Sequence, residues 1–275
     1  MFHVEHRGEK MGKTIALCNQ KGGTGKTTTS VNLSAALAHK NKKILLVDTD
    51  PQGNATSGLG INKNNIEVSI YDVLLNKMKI KDIAVQTEYE NLTVAPCNIN
   101  LTGAEIELVG ALSREARLKR AIEEIKDDYD YIFIDSPPSL GLITLNSLVA
   151  SDSIIIPIQC EFYALEGVSQ LLNTINLIRD GLNPSLAIEG VLMTMADFRT
   201  NLTTEVINEI RSFFKEKVYQ TVIPRNVRLS EAPSFGKPIA VYDSNSIGAK
   251  KYDEFAREFL GEKIENKEEE AVEVN

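Results

Sequence analysis

The 275-residue sequence has no tryptophan, only three histidines and only three cysteines, and each shortage narrows its chemistry. Cys18, Cys97 and Cys160 are odd in number, far apart and without a C-x-x-C pair. This argues against a disulfide framework and a zinc knuckle, and it suits a reducing cytoplasm. No apolar run approaches the ~20 residues that span a bilayer. The first 13 residues lack the apolar stretch of a secretory signal. Internal repeats and Pro- or Ser-rich linkers are also missing, so one domain is expected. The formal net charge is −8, but about half of it sits in residues 262–273, where six glutamates face Lys263 and Lys267. That stretch reads as a solvated tail, so bulk charge neither favours nor excludes a nucleic-acid partner.

What is present is an alternation. Short β-branched runs at residues 14–18, 44–47, 92–95, 131–134, 154–158 and 187–193 read as strands buried on both faces. Amphipathic stretches at 27–39, 114–125, 166–178 and 202–214 read as helices between them. Strand and helix in turn imply βαβ crossovers, and so a single-domain, doubly wound α/β fold with a mostly parallel sheet and helices on both faces. The expected domain runs over 13–260. Residues 1–12 and the acidic 261–275 are polar and aperiodic, and both are expected to be disordered.

The chemistry concentrates after the first strand, at Lys21-Gly22-Gly23-Thr24-Gly25-Lys26-Thr27-Thr28. The common phosphate-loop pattern G-x-x-x-x-G-K-[ST] is met at its end by Gly25, Lys26 and Thr27, but its first glycine is replaced by Gln20. A second lysine, Lys21, enters instead. Gly22, Gly23 and Gly25 let backbone N–H groups turn inward around phosphate oxygens, and the following helix adds its positive end. Lys26 would reach the β- and γ-phosphates of ATP, and the Thr27 hydroxyl would ligate Mg²⁺.

Aspartates close two of the expected strands. Asp48 and Asp50 follow Leu45-Leu46-Val47, and Asp135 follows Tyr131-Ile132-Phe133-Ile134. Ligands of open α/β sheets sit at the carboxyl ends of strands. Asp135 suits a metal held through water, and Asp50 suits the orientation of an attacking water. Carboxylates at these places would equally serve as caps for the turns that follow.

These segments together resemble the ParA family, and more narrowly its chromosomal Soj type. The resemblance rests on residues 19–29, on Val47-Asp48-Thr49-Asp50-Pro51-Gln52-Gly53-Asn54-Ala55, on Asp135-Ser136-Pro137-Pro138-Ser139-Leu140-Gly141, on 198–202 and on 223–233. It covers nearly everything from Lys13 to Leu260, with Thr24 where the family usually has valine. The resemblance implies a slow, partner-stimulated ATPase in which Lys21 reaches across a nucleotide-sandwich homodimer to the partner's phosphates. It further implies that a side chain at Gly22 obstructs that dimer, that Asp50 is catalytic, and that Pro224 and Asn226 lie beside the adenine. Arg199 and Arg228 match arginines that bind double-stranded DNA without sequence preference. A ParB-type protein bound at a centromere-like parS site would trigger hydrolysis, in the cytoplasm and at the nucleoid.

Three alternative functions make different demands. A membrane-cycling ATPase of the MinD kind needs a basic amphipathic C-terminus, whereas residues 262–273 are acidic. An iron protein of the nitrogenase-reductase type needs a cysteine where this chain has Pro138, which leaves Cys97 as a core or loop residue. A module that only holds ATP would have no use for Asp50. At the other end, translation from Met1 or from Met11 are both open. Met1-Phe2-His3-Val4-Glu5-His6 permits the codons ATG TTC CAC GTG GAA CAT, a perfect palindrome that resembles parS. The expectation is that these residues matter as DNA more than as protein.

Overall fold

A computed structural model of the chain describes residues 12–161 and 164–262, the side chains of 164–166 excepted. Of the two ends expected to be disordered, residues 1–11 and 263–275 lie outside that range, and so does the whole of Met1–His6, whose codons could form a palindrome. Gly12, assigned to the extension by the expected boundary, is buried, and a Cβ there would lie 2.2 Å from the Lys126 carbonyl oxygen. It belongs with the domain. Gly261, at φ 79°, and Glu262 close the last helix.

Eight strands form one sheet: β1 Lys13–Leu17, β2 Ile44–Asp48, β3 Val85–Gln86, β4 Leu92–Ala95, β5 Tyr131–Asp135, β6 Ser153–Gln159, β7 Ala187–Ala196 and β8 Val218–Pro224. Their order is β3-β4-β2-β5-β1-β6-β7-β8, and every pair but β3–β4 is parallel. The strand period of two divides each strand between two cores. Ile15, Leu17, Ile44, Leu46 and Phe133 face one side, against helices Lys26–His39 and Ile247–Phe259. Ala16, Leu45, Val47, Ile132 and Ile134 face the other, under helices that include Leu101–Leu108, Leu142–Ala150 and Asn201–Phe214. Each buried isoleucine or leucine contributes about 1.5–3 kcal/mol, so a sheet covered on both sides holds its strands firmly.

Two strands and several helices escape a reading of the sequence. β8 alternates buried and half-exposed residues because it is an edge strand with one wetted face, so it shows no continuous apolar run. β3 has only two residues. The expected helix at 114–125 is a 3₁₀ turn, Arg114–Ala116, followed by the shorter helix Arg117–Glu123. The three cysteines are buried and free, and burial pushes the Cys18 and Cys160 thiols up to about 12 and Cys97 further in the same direction. They are packing residues, not nucleophiles.

Candidate functional site

The parallel strands bring their carboxyl ends to one edge of the sheet. Residues 18–25 follow β1, Asp50 follows β2, Asp135 ends β5, Glu161 follows β6, Arg199 follows β7, and Pro224 ends β8. Residues spread over more than two hundred positions thus share one rim, as the doubly wound fold requires.

The phosphate loop is pinned from both sides. The Asn19 side chain donates to the Pro157 carbonyl at 2.7 Å and accepts from the Lys21 N–H at 3.0 Å. Thr194 on β7 donates to the Thr24 carbonyl at 2.8 Å. Gly23 and Gly25 take φ of 73° and 87°, a region that only glycine enters without strain. Gly22 has no such φ, and a Cβ there would meet only Pro138, at 3.9 Å. Nothing among the described residues requires glycine at 22.

The two lysines differ sharply. Lys26 is 7% exposed, and its ammonium donates to the Lys21 carbonyl at 3.1 Å. Burial lowers its pKa, against the opposing pull of Asp135. Lys21 points outward and pairs with Glu161 at 2.7 Å, both side chains nearly half exposed. Helix Lys26–His39 has no side-chain cap and no acidic residue in its first turn. Its amino end therefore keeps N–H groups and positive potential for an anion.

Asp135 is fully buried, with Oδ1 accepting from Ser30 at 2.9 Å and the Thr27 hydroxyl against the same carboxylate. Its Oδ2 is buried with no donor among the described residues. Burial, and then the charge of Asp48, push its pKa up. A buried carboxylate oxygen with no partner beside a threonine hydroxyl fits a cation. Among the described residues, no three His, Cys, Asp or Glu side chains gather to cage a metal. This donor set suits Mg²⁺, which keeps waters and substrate phosphates in its shell.

Asp48 turns inward instead. Its oxygens accept from the Asp50 N–H at 3.1 Å and from the Thr56 N–H and hydroxyl at 2.8 and 2.7 Å. It is the cap foreseen as the alternative, and it holds the 49–56 loop. Asp50, half-buried, accepts from the Gln52 N–H at 2.9 Å and stands on that loop at the rim.

Farther along the rim, Arg199 makes a two-pronged pair with Asp197, at 2.8 and 2.6 Å, which holds that carboxyl down to about 2. Arg228 pairs with Glu231 at 2.9 Å and Asp243 at 3.4 Å. The Asn226 side chain caps helix Val227–Glu231 by accepting from the Leu229 N–H at 3.3 Å. Sequence reasoning placed Asn19 in the 19–29 motif without its contacts, and it missed Ser30, Thr194 and Glu161. Their partners lie up to 170 positions away, and no local pattern marks them.

A family model described as an AAA domain matches residues 12–188. The chain is 62% identical over 248 residues to the sporulation initiation inhibitor protein Soj of Bacillus subtilis (strain 168), covering 90% of this chain and 98% of that protein. It is 53% identical over 258 residues to the chromosome partitioning protein ParA of Myxococcus xanthus (strain DK1622), covering 92% and 91%. A solved structure from Mycobacterium smegmatis, described as cobyrinic acid a,c-diamide synthase with bound ATP analog and magnesium, superposes with a TM-score of 0.80 at 38% identity, covering 90% of this chain and 94% of that one.

Proposed function

Since the chain belongs to the Soj and ParA family of chromosome-partitioning ATPases, we propose that it is a switch in which ATP closes two copies into a sandwich dimer that grips DNA. The observation that carries this reading is the outer end of the phosphate loop. Gly22 is free of any steric demand from the described residues, and Lys21 rests outside the phosphate cradle on an exposed ion pair. Both features make sense if a second subunit is to approach there. The Lys21–Glu161 pair is exposed, contributes at most about 1 kcal/mol, and so releases readily.

In the closed state Lys26 and the N–H groups of residues 22–28 hold the phosphates of ATP, and Pro224 and Asn226 border the adenine. Thr27 and Asp135 would hold Mg²⁺, which neutralises charge on the phosphate oxygens. Asp50 orients the attacking water, and Lys21 completes the partner's site. Arg199 and Arg228, doubled by dimerisation, contact DNA phosphates without reading bases. A ParB-type partner at parS stimulates hydrolysis and so releases the dimer from the nucleoid. No helix among the described residues is long and apolar enough to cross a membrane. The acidic 262–273 stretch would be repelled by anionic lipid, so DNA is the surface on which the switch cycles.

DNA binding measured with ATP, with ADP and without nucleotide tests the proposal. Wild type is expected to bind only with ATP, and Arg228→Ala to lose binding. Asp50→Ala should stay dimeric on DNA while turnover falls by ~10²–10⁴-fold. Binding that ignores nucleotide would overturn the gating.

A further inference from the structure

The rim formed by the ends of β7 and β8 carries three arginines, and the proposed DNA face uses two of them. Ala196 and Pro224 are register partners, and the Arg225 N–H donates to the Ala196 carbonyl at 3.0 Å. This ties the loop that carries Arg199 to the one that carries Arg225 and Arg228. The Arg199 hydrogen bonds hold the Asp197 carboxyl low, and the charge of Arg225 adds weakly in the same direction. All three side chains are exposed.

Their circumstances differ. Arg199 is committed to Asp197, and Arg228 to Glu231 and Asp243. For either to meet a phosphate, a carboxylate within the chain must be displaced or must share its partner. Arg225 makes no ion pair and no side-chain hydrogen bond among the described residues, so it meets a phosphate with no such exchange. Across the cluster, three arginines face three carboxylates, and Arg225, without an ion pair among the described residues, leaves its charge open to an anion.

We propose that Arg225 is a third contact to nucleic-acid phosphates, on the same β7–β8 rim as Arg199 and Arg228. The inference rests on the reading that those two residues face DNA. Phosphate contact needs a cation and no particular fork, so lysine should serve at 225 nearly as well as arginine.

The test is binding of ATP-loaded full-length protein to nonspecific duplex DNA across a salt series, with Arg225→Ala, Arg225→Lys, Arg199→Ala and Arg228→Ala beside wild type. Arg225→Ala is expected to weaken binding by about tenfold or more and to lower the slope of log affinity against log salt by ~1 per subunit. Arg225→Lys should recover most of both, and ATP affinity and ATP-dependent dimerisation should match wild type. If Arg225→Ala binds like wild type while Arg199→Ala and Arg228→Ala fail, the proposal falls and the DNA-face reading stands. If Arg225→Ala loses ATP affinity or dimerisation at an unchanged salt slope, Arg225 acts through the Pro224–Asn226 loop and the proposal also falls. If all three alanine variants bind normally, the DNA-face reading falls and takes this proposal with it.

Discussion

Lys26 and Lys21 stand five residues apart on one loop and live in opposite surroundings. Lys26 is buried beside Asp135, behind glycines whose φ values leave no choice of residue. Lys21 is half exposed, rests on Glu161, and precedes a glycine that none of the described residues requires. The inner half is built around something this chain binds alone. Under the proposed function, the outer half would serve something that arrives from outside. The arginine rim repeats the outer arrangement, because Arg199 and Arg228 are also exposed cations resting on carboxylates of their own chain. A buried cation is committed to its ligand, whereas a cation parked on an exposed pair can change partners at small cost.

The largest effect should come from Lys26→Ala, which removes a buried charged donor. ATP affinity is expected to fall by on the order of 100-fold, the equivalent of ~3 kcal/mol, as read by titration calorimetry. Equal ATP affinity in Lys26→Ala and wild type would erase the distinction between the two halves. Next comes Gly25→Ala, where a left-handed φ of 87° should destabilise the fold by about 1–2 kcal/mol, visible as a lower melting temperature without nucleotide.

Gly22→Val sharpens the contrast, because the same kind of change three residues earlier should leave melting within about 0.5 kcal/mol of wild type. ATP affinity should be kept, while ATP-dependent dimers vanish from light scattering. Lys21→Ala is expected to behave likewise, and loss of ATP affinity in either variant would merge the halves again. The smallest effects belong to the parking carboxylates. Glu161→Gln should strengthen ATP-dependent dimerisation by about two- to five-fold, and Asp197→Asn should strengthen DNA binding by a similar factor. Weaker association in both would show that the carboxylates position the cations rather than compete for them.

Much of the fold is legible in the amino-acid sequence. The βαβ alternation identifies a doubly wound fold because strands buried on both faces must be nearly all apolar, and 44–47 and 131–134 are. The β8 edge strand is not legible, because half its side chains face water. In the site, Gly25-Lys26-Thr27 announces itself, since a phosphate loop is a local steric solution written in consecutive residues. The Asp48 carboxylate, by contrast, looks equivalent to Asp50 in sequence, and only its three hydrogen bonds mark it as a cap.

By itself, then, the amino-acid sequence determined which backbone could form where: strands, helices, the glycine-lined turn, and the kinship those segments carry. Tertiary structure alone decided which side chains meet. The Asn19, Lys21 and Thr194 contacts span 138, 140 and 170 residues, so they exist only because parallel crossovers return every strand's carboxyl end to one rim. The physical reason is range. Backbone sterics act between neighbours in the chain, whereas charge pairing and burial act between neighbours in space. That is why Lys26 reads as a candidate phosphate ligand from its own motif, whereas the Lys21–Glu161 pair and, among the described residues, the donorless oxygen of Asp135 and the missing ion pair of Arg225 do not show in the sequence.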